Sequence, residues 1–282
     1  MNWVRHAGRV AILLSLSILS SSGAPPATAE AALELLGRRL LAERRLSADG
    51  STSCLSCHQP ERGYGDGNAV AYPGGLNTPP LWGLAERQSF GWFSPELTTL
   101  EAAALRPLTD PNEMGPLSAA TLAQLRADPA TSAAYRSAFP DAPELVTWEQ
   151  TSEALAAALR AIPLPPRARE PLDAAAQRGQ ALFVELGCVT CHRPPSFADA
   201  SYHNIGLQSG PTRNTGRARV PSLRGLIHSS PYFHDGSAAT LEAVIEHYAR
   251  GGDSSPATSP AISPLLLSEQ DRRDLVAFLE SL

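Results

Sequence analysis

Cys54-Leu55-Ser56-Cys57-His58 and Cys188-Val189-Thr190-Cys191-His192 hold all four cysteines of this chain. Both read C-x-x-C-H, the attachment signature of a c-type haem. In that chemistry two thioethers take the porphyrin vinyl groups, and the adjoining histidine reaches the iron from one face. A redox dithiol, a zinc site or a structural disulfide would also use C-x-x-C. None of them needs the histidine, yet it follows both pairs. The expectation is two covalent haems, with His58 and His192 each holding an iron.

The second axial ligand decides whether a haem passes electrons or does chemistry. Methionine occurs only at Met1 and Met114. A His/Met haem in the C-terminal half would need Met114 to cross between halves. Beyond the first 29 residues, the N-terminal half has one histidine, His58, already used. Its haem is either open or capped by something weaker, and an open ferric haem binds peroxide. In the C-terminal half, Leu241, Val244, Ile245 and Tyr248 repeat as one face of a helix that Gly251-Gly252 ends. Tyr248 therefore points inward, as a core residue or as an iron ligand. His203, His228 and His234 compete for that place, and His247 lies on the flank of the face.

These residues need elements to position them. Each C-x-x-C-H follows an amphipathic helix with the same G-x-x-L-apolar signature, Gly37 to Leu41 and Gly179 to Phe183, a weak internal repeat. Thr147 to Gln150 is a capping-box start for a helix running to about Ile162. Pro163 to Pro171 carries four prolines in nine residues and reads as a linker. Ser268 to Asp271 caps a last helix whose Leu275, Val276 and Leu279 face inward. No run of alternating strands stands out. The fold class is mostly α, with two cytochrome c-like haem-binding domains, 30–163 and 172–282, long Gly/Pro-rich loops, and a linker over 163–171.

Residues 1–29 read as a secretory signal. Arg5 and Arg9 precede an apolar run from Val10 to Leu19, and Ala27-Thr28-Ala29 is an A-x-A cleavage site. The run is shorter than the roughly 20 residues that span a bilayer, so no stable membrane span is expected after cleavage near Ala29. Bacterial haem attachment to C-x-x-C-H happens outside the cytoplasm, and a periplasmic enzyme follows. A net charge of −5 argues against nucleic acid as a partner. Every basic residue is arginine, a compositional trait rather than a functional one.

The ordered set of motifs resembles the bacterial di-haem cytochrome c peroxidase superfamily. It comprises Arg45 to Gly50 before the first haem motif, Asn77-Thr78-Pro79, Pro107 and Asn112 to Gly115. The second half adds His203 to Gly206, Val220 to Arg224, Pro231 to Ser237, Thr240 to Glu242 and Asp274 to Leu279. Within the superfamily the chain is most similar to the MauG/MbnH-like branch, whose members use hydrogen peroxide to oxidise residues of a partner protein. The branch carries tyrosine at the position of Tyr248, where ordinary peroxidases carry a methionine ligand. It also lacks a distal histidine between the first haem motif and Asn77.

The resemblance implies further roles. Glu113 matches the distal carboxylate that relays the peroxide proton, as base and then acid. Trp92 matches the tryptophan between the haems, whose radical cation relays electrons or shares oxidising equivalents. Asn77, with carbonyls near Arg219 and Pro221, matches a calcium site. Arg224 matches a partner for a haem propionate. Two departures stand out: Ala103 where many members have glutamine, and Phe93-Ser94-Pro95 where Asp-Gly-Arg often follows the tryptophan. The resemblance implies a peroxide-using di-haem enzyme whose partner is a secreted protein, oxidised at tryptophan in MbnH-like systems. The alternatives are a peroxidase fed by a small electron-donor cytochrome, and a di-haem cytochrome that only transfers electrons.

Overall fold

A computed structural model describes residues 28–68, 75–116, 118–207, 216–253 and 256–282. The expected leader, apart from its last two residues, lies outside the described residues. Among them are nine α-helices: α1 (Ala29–Leu41), α2 (Cys54–Cys57), α3 (Leu100–Thr109), α4 (Ala119–Ala127), α5 (Pro129–Ala138), α6 (Trp148–Arg160), α7 (Ala174–Glu185), α8 (Leu241–Ala249) and α9 (Glu269–Ser281). The only sheet among them pairs β1 (Tyr202–His203) antiparallel with β2 (Ala218–Arg219). No described helix is long and apolar enough to cross a membrane.

The local signals act as expected. Thr147 and Gln150 form a reciprocal capping box at the start of α6, satisfying two backbone donors that the first turn leaves unpaired. Thr151, Ala154, Leu155, Ala158 and Leu159 then repeat every three or four residues and are buried. Ser268 and Asp271 cap α9 in the same way, and its Leu275, Val276, Phe278 and Leu279 are buried.

The weak repeat in the sequence has a steric cause. α1 crosses α6 at Gly37, where an added Cβ would sit 1.8 Å from the carbonyl oxygen of Ala154. α7 crosses α9 at Gly179, where it would sit 1.9 Å from that of Asp274. Each crossing is closer than any side chain permits. At the second, Arg178 adds a two-pronged ion pair with Asp274, both bonds 2.7 Å.

Two apolar cores result. Leu36, Leu40, Leu108, Leu125, Tyr135 and Leu155 centre the first. Phe183, Phe197, Leu275, Phe278 and Leu279 centre the second. Each such buried Leu or Phe contributes about 1.5–3 kcal/mol by leaving water.

Residues 163–171 form no helix, yet they are held. Leu164 fills the space beside Gly83, and Pro165 that beside Gly225. The Ala168 amide donates to the Ser281 carbonyl. Arg224 donates to the carbonyls of Pro165, Pro195 and Leu282. These bonds engage three of the five guanidinium N–H donors of Arg224. Its guanidinium ties the proline segment to the end of α9.

Candidate haem sites and the residues between them

Both motifs curl into one tight turn. The amide of His58 donates to Cys54 O at 2.8 Å, and that of His192 to Cys188 O at 3.0 Å. No disulfide joins any two of the four cysteines. Burial pushes the Cys54 and Cys188 thiols up to about 11. A redox dithiol needs the opposite shift, toward thiolate.

Each histidine is oriented by main chain alone. His58 Nδ1 donates to the carbonyl of Tyr64 at 2.8 Å, and His192 Nδ1 to that of Phe197 at 2.8 Å. A carbonyl can only accept, so the proton sits on Nδ1 and Nε2 is left bare for a metal. Burial holds both rings below the usual histidine pKa, opposed at His58 by Tyr64, Asp66 and Pro79 and at His192 by Phe197, Asp199 and Pro221. Tyr64 and Phe197 have φ of 60° and 54°. Bulky residues rarely adopt such values, and strain of this kind collects at functional sites.

The second motif opens on a cavity of about 400 Å³. Cys188, Cys191, His192 and Tyr248 line it, with Leu223, Val244, Ile245, Leu275 and Leu279 as apolar wall. Two thiols, an imidazole with bare Nε2 and an apolar slot fit a thioether-bound porphyrin. Tyr248 reaches it from α8. Burial, then the nearby Cys188 and Cys191, raise its phenol pKa. His203 and His234 also line this space, whereas His228 does not and is exposed. His203 Nε2 is 2.8 Å from Ser201 Oγ. His234 Nδ1 is buried without a partner. His247 is committed elsewhere: buried, it donates from Nε2 to Ile205 O at 2.7 Å and accepts from Arg250. Met114 is buried in the N-terminal core.

Glu113 lies in a turn pinned beside the first motif. The Ala48 amide donates to Met114 O at 2.7 Å, and Gly115, at φ 88°, packs against Ala48. Pro107 lies inside α3 and removes the helical bond to the Ala103 carbonyl. Ala103 itself packs against the N-terminal core. The Glu113 carboxylate is near enough to Cys54 and Cys57 to help raise both thiols. Its own pKa is raised by burial, opposed by Arg106 and assisted by Asp110. Arg106 stands 3.6 Å away, and both side chains remain nearly half exposed.

Trp92 joins the halves. Its Nε1 donates to Asn77 O at 2.7 Å, and its carbonyl accepts from the Arg219 amide at 2.8 Å. Asn77 is buried, and its side-chain amide donates to Pro231 O and Phe233 O at 2.7 and 3.0 Å. That orientation turns Oδ1 away from those carbonyls. Trp92, Asn77 and Arg219 all border the second cavity. The placing of the Arg219 side chain over Trp92 and the histidine-holding carbonyls of Tyr64 and Phe197 are additions the sequence did not signal. Only the turn-rich composition after each histidine hinted at irregular backbone.

Comparisons with known proteins agree with this geometry. The model of the di-haem cytochrome c peroxidase family matches residues 31–168, and that of cytochrome c matches 176–282. The chain is 36% identical to the methylamine utilization protein MauG of Methylorubrum extorquens, over 88% of this chain and 77% of that one. It is 32% identical to the cytochrome-c peroxidase IdrP1 of Denitromonas iodatirespirans, over 88% and 80%. A solved MauG-like protein associated with microbial copper homeostasis superposes with a TM-score of 0.80 at 30% identity, covering 95% of each chain. The solved di-haem peroxidase BthA of Burkholderia thailandensis, 22% identical with a TM-score of 0.73, shares the fold over 89% of this chain and 85% of that one. With two C-x-x-C-H turns, two bare imidazole nitrogens and this kinship, the chain belongs to the di-haem cytochrome c peroxidase family that includes MauG, and is a haem oxidoreductase.

Proposed function

We propose that this is a periplasmic enzyme of the MauG/MbnH-like kind, which spends hydrogen peroxide at the His58 haem to oxidise a residue of a secreted partner protein. The observation that carries the reading is the inequality of the two sites. Tyr248 shares one cavity with Cys188, Cys191 and His192, while Met114 is locked in the other half's core. In the N-terminal half, no described histidine besides His58 is available as a second ligand.

Bound haem supplies the redox chemistry, and the protein supplies the rest. Cys54, Cys57 and His58 would hold the first haem; Cys188, Cys191, His192 and Tyr248 would hold the second. Glu113 takes a proton from one peroxide oxygen and returns it to the departing one, a task suited to a carboxyl with a raised pKa. Trp92 carries oxidising equivalents between the halves. Tyrosinate ligation lowers a haem's potential and suits an oxidant kept within the protein. Calcium, which prefers oxygen donors, is implied at Asn77 by the resemblance alone; here the Asn77 amide nitrogen, not Oδ1, meets the Pro231 and Phe233 carbonyls. A tryptophan is the expected residue on the partner, as the resemblance to MbnH-like systems implies.

Relatives named cytochrome-c peroxidase at similar identity favour a second reading, electrons drawn from a small cytochrome. Peroxide added without a donor separates the two. A long-lived oxidised state discharged by a partner protein supports the first, and rapid turnover with reduced cytochrome c the second. Electron paramagnetic resonance showing two low-spin ferric haems and no high-spin signal would sink both.

A further inference from the structure

We infer that Arg219 keeps Trp92 from storing an oxidising equivalent, making this tryptophan a point of transit and not a reservoir. The inference rests on the reading that Trp92 lies on the route between the haems.

The guanidinium of Arg219 lies over the Trp92 ring, 5.8 Å from its centroid. Arg219 is 4% exposed. Its side chain donates to Gly91 O at 3.1 Å and Val220 O at 3.2 Å. Among the described residues it forms no ion pair with a carboxylate. Its amide bonds the Trp92 carbonyl, so main chain fixes the two side chains together. Such a pair is favourable while the indole is neutral, because the cation faces an electron-rich ring. Loss of one electron reverses the sign and sets two positive charges face to face in a poorly screened place.

The usual escape for an oxidised indole is loss of its N–H proton. Here Nε1 donates at 2.7 Å to the backbone carbonyl of Asn77, which is no base. In the step proposed, Trp92 gives one electron to the peroxide-oxidised haem centre, which is reduced by one. No bond of the indole breaks and its proton stays. The ring then recovers one electron quickly from the haem that Cys188, Cys191 and His192 would hold, which is oxidised by one, because the charged indole is disfavoured.

Freeze-quench electron paramagnetic resonance of the peroxide-treated holoprotein tests this. Wild type should show almost no tryptophan radical at Trp92. Arg219→Gln should raise that signal by at least about tenfold, the ratio set by about 1.4 kcal/mol. Arg219→Lys, which keeps the charge, should resemble wild type, and the added signal should vanish in the Trp92→Phe/Arg219→Gln double variant. A strong wild-type signal that Trp92→Phe removes would overturn the inference even if Arg219→Gln does not fold. An Arg219→Gln signal equal to wild type would also overturn it, because the charge is then cancelled in the holoprotein. If Trp92→Phe slows delivery to the second haem while Arg219→Gln changes nothing, only this inference fails. If Trp92→Phe also changes nothing, its place on the route fails as well.

Discussion

Gly179→Ala tests the close helix crossing that walls the second haem cavity. The new methyl would sit 1.9 Å from the Asp274 carbonyl oxygen, 2.5 Å from its carbon and 2.9 Å from Phe278 Cβ. Ordinary contact begins at 3.4 Å, so α7 and α9 must part by about 1.5 Å. The opposing atoms belong to backbone, so no rotamer change relieves the overlap. Overpacking costs about 1–3 kcal/mol, and more where nothing yields. Alanine's better helix propensity returns at most about 1 kcal/mol. The expected net loss is about 2 kcal/mol. With a urea slope of about 1.5 kcal/mol/M, the unfolding midpoint falls by about 1.3 M. Far-ultraviolet circular dichroism reads that midpoint, and the Soret band should broaden as Leu275 and Leu279 shift in the cavity wall. Gly50→Ala is the control: nothing lies within 4 Å of its Cβ, and only φ of 69° opposes it, worth about 1 kcal/mol. A Gly179→Ala midpoint within about 0.3 M of wild type would refute the steric account.

Tyr248→Phe should change the absorption spectrum and raise the potential of the second haem only, and an unchanged spectrum would rule out ligation. Glu113→Gln should slow reaction with peroxide by about 10²–10⁴-fold in stopped flow, with both Soret bands retained. Because the Glu113 pKa is raised, the wild-type rate should climb with pH through a limb above the ordinary glutamate value of about 4.3. The variant should lack that limb. Asp274 is depressed chiefly by its bond to Arg178, so its stabilisation is full above an unfolded pKa of about 3.9 and fades as pH falls through the lower folded value. Asp274→Asn should therefore lower stability at neutral pH and flatten its acid dependence, and an identical acid-denaturation curve would contradict that.

What was legible in the sequence is what short range decides. C-x-x-C-H, the capping boxes at Thr147 and Ser268, and the spacing of Leu241 to Tyr248 each act within a few residues. The glycines of the repeat were visible as a pattern, but their cause was not. It lies in Ala154 and Asp274, on helices distant along the chain. The stack of Arg219 on Trp92 and the grip of Arg224 on the proline segment share that property. Periodicity carries no signal for such meetings, and composition offered only arginines, which elsewhere are mostly surface residues. His247 illustrates the same limit. Its flank position was readable, whereas its bond to Ile205 O depends on a loop from before β2.

The carbonyls of Tyr64 and Phe197 bear on how this protein can drift. An iron-binding histidine held by an aspartate or asparagine loses its support in one substitution. Here the acceptor belongs to the peptide unit, and every residue type has one. The rings of Tyr64 and Phe197 pack against the two cores but do not themselves hold His58 or His192, so a replacement that fits the packing and tolerates the left-handed backbone keeps that support. The requirement is written in torsion angles and not in side-chain chemistry. Distant relatives can keep this support while sharing no residue at either position, and an identity count would not register it.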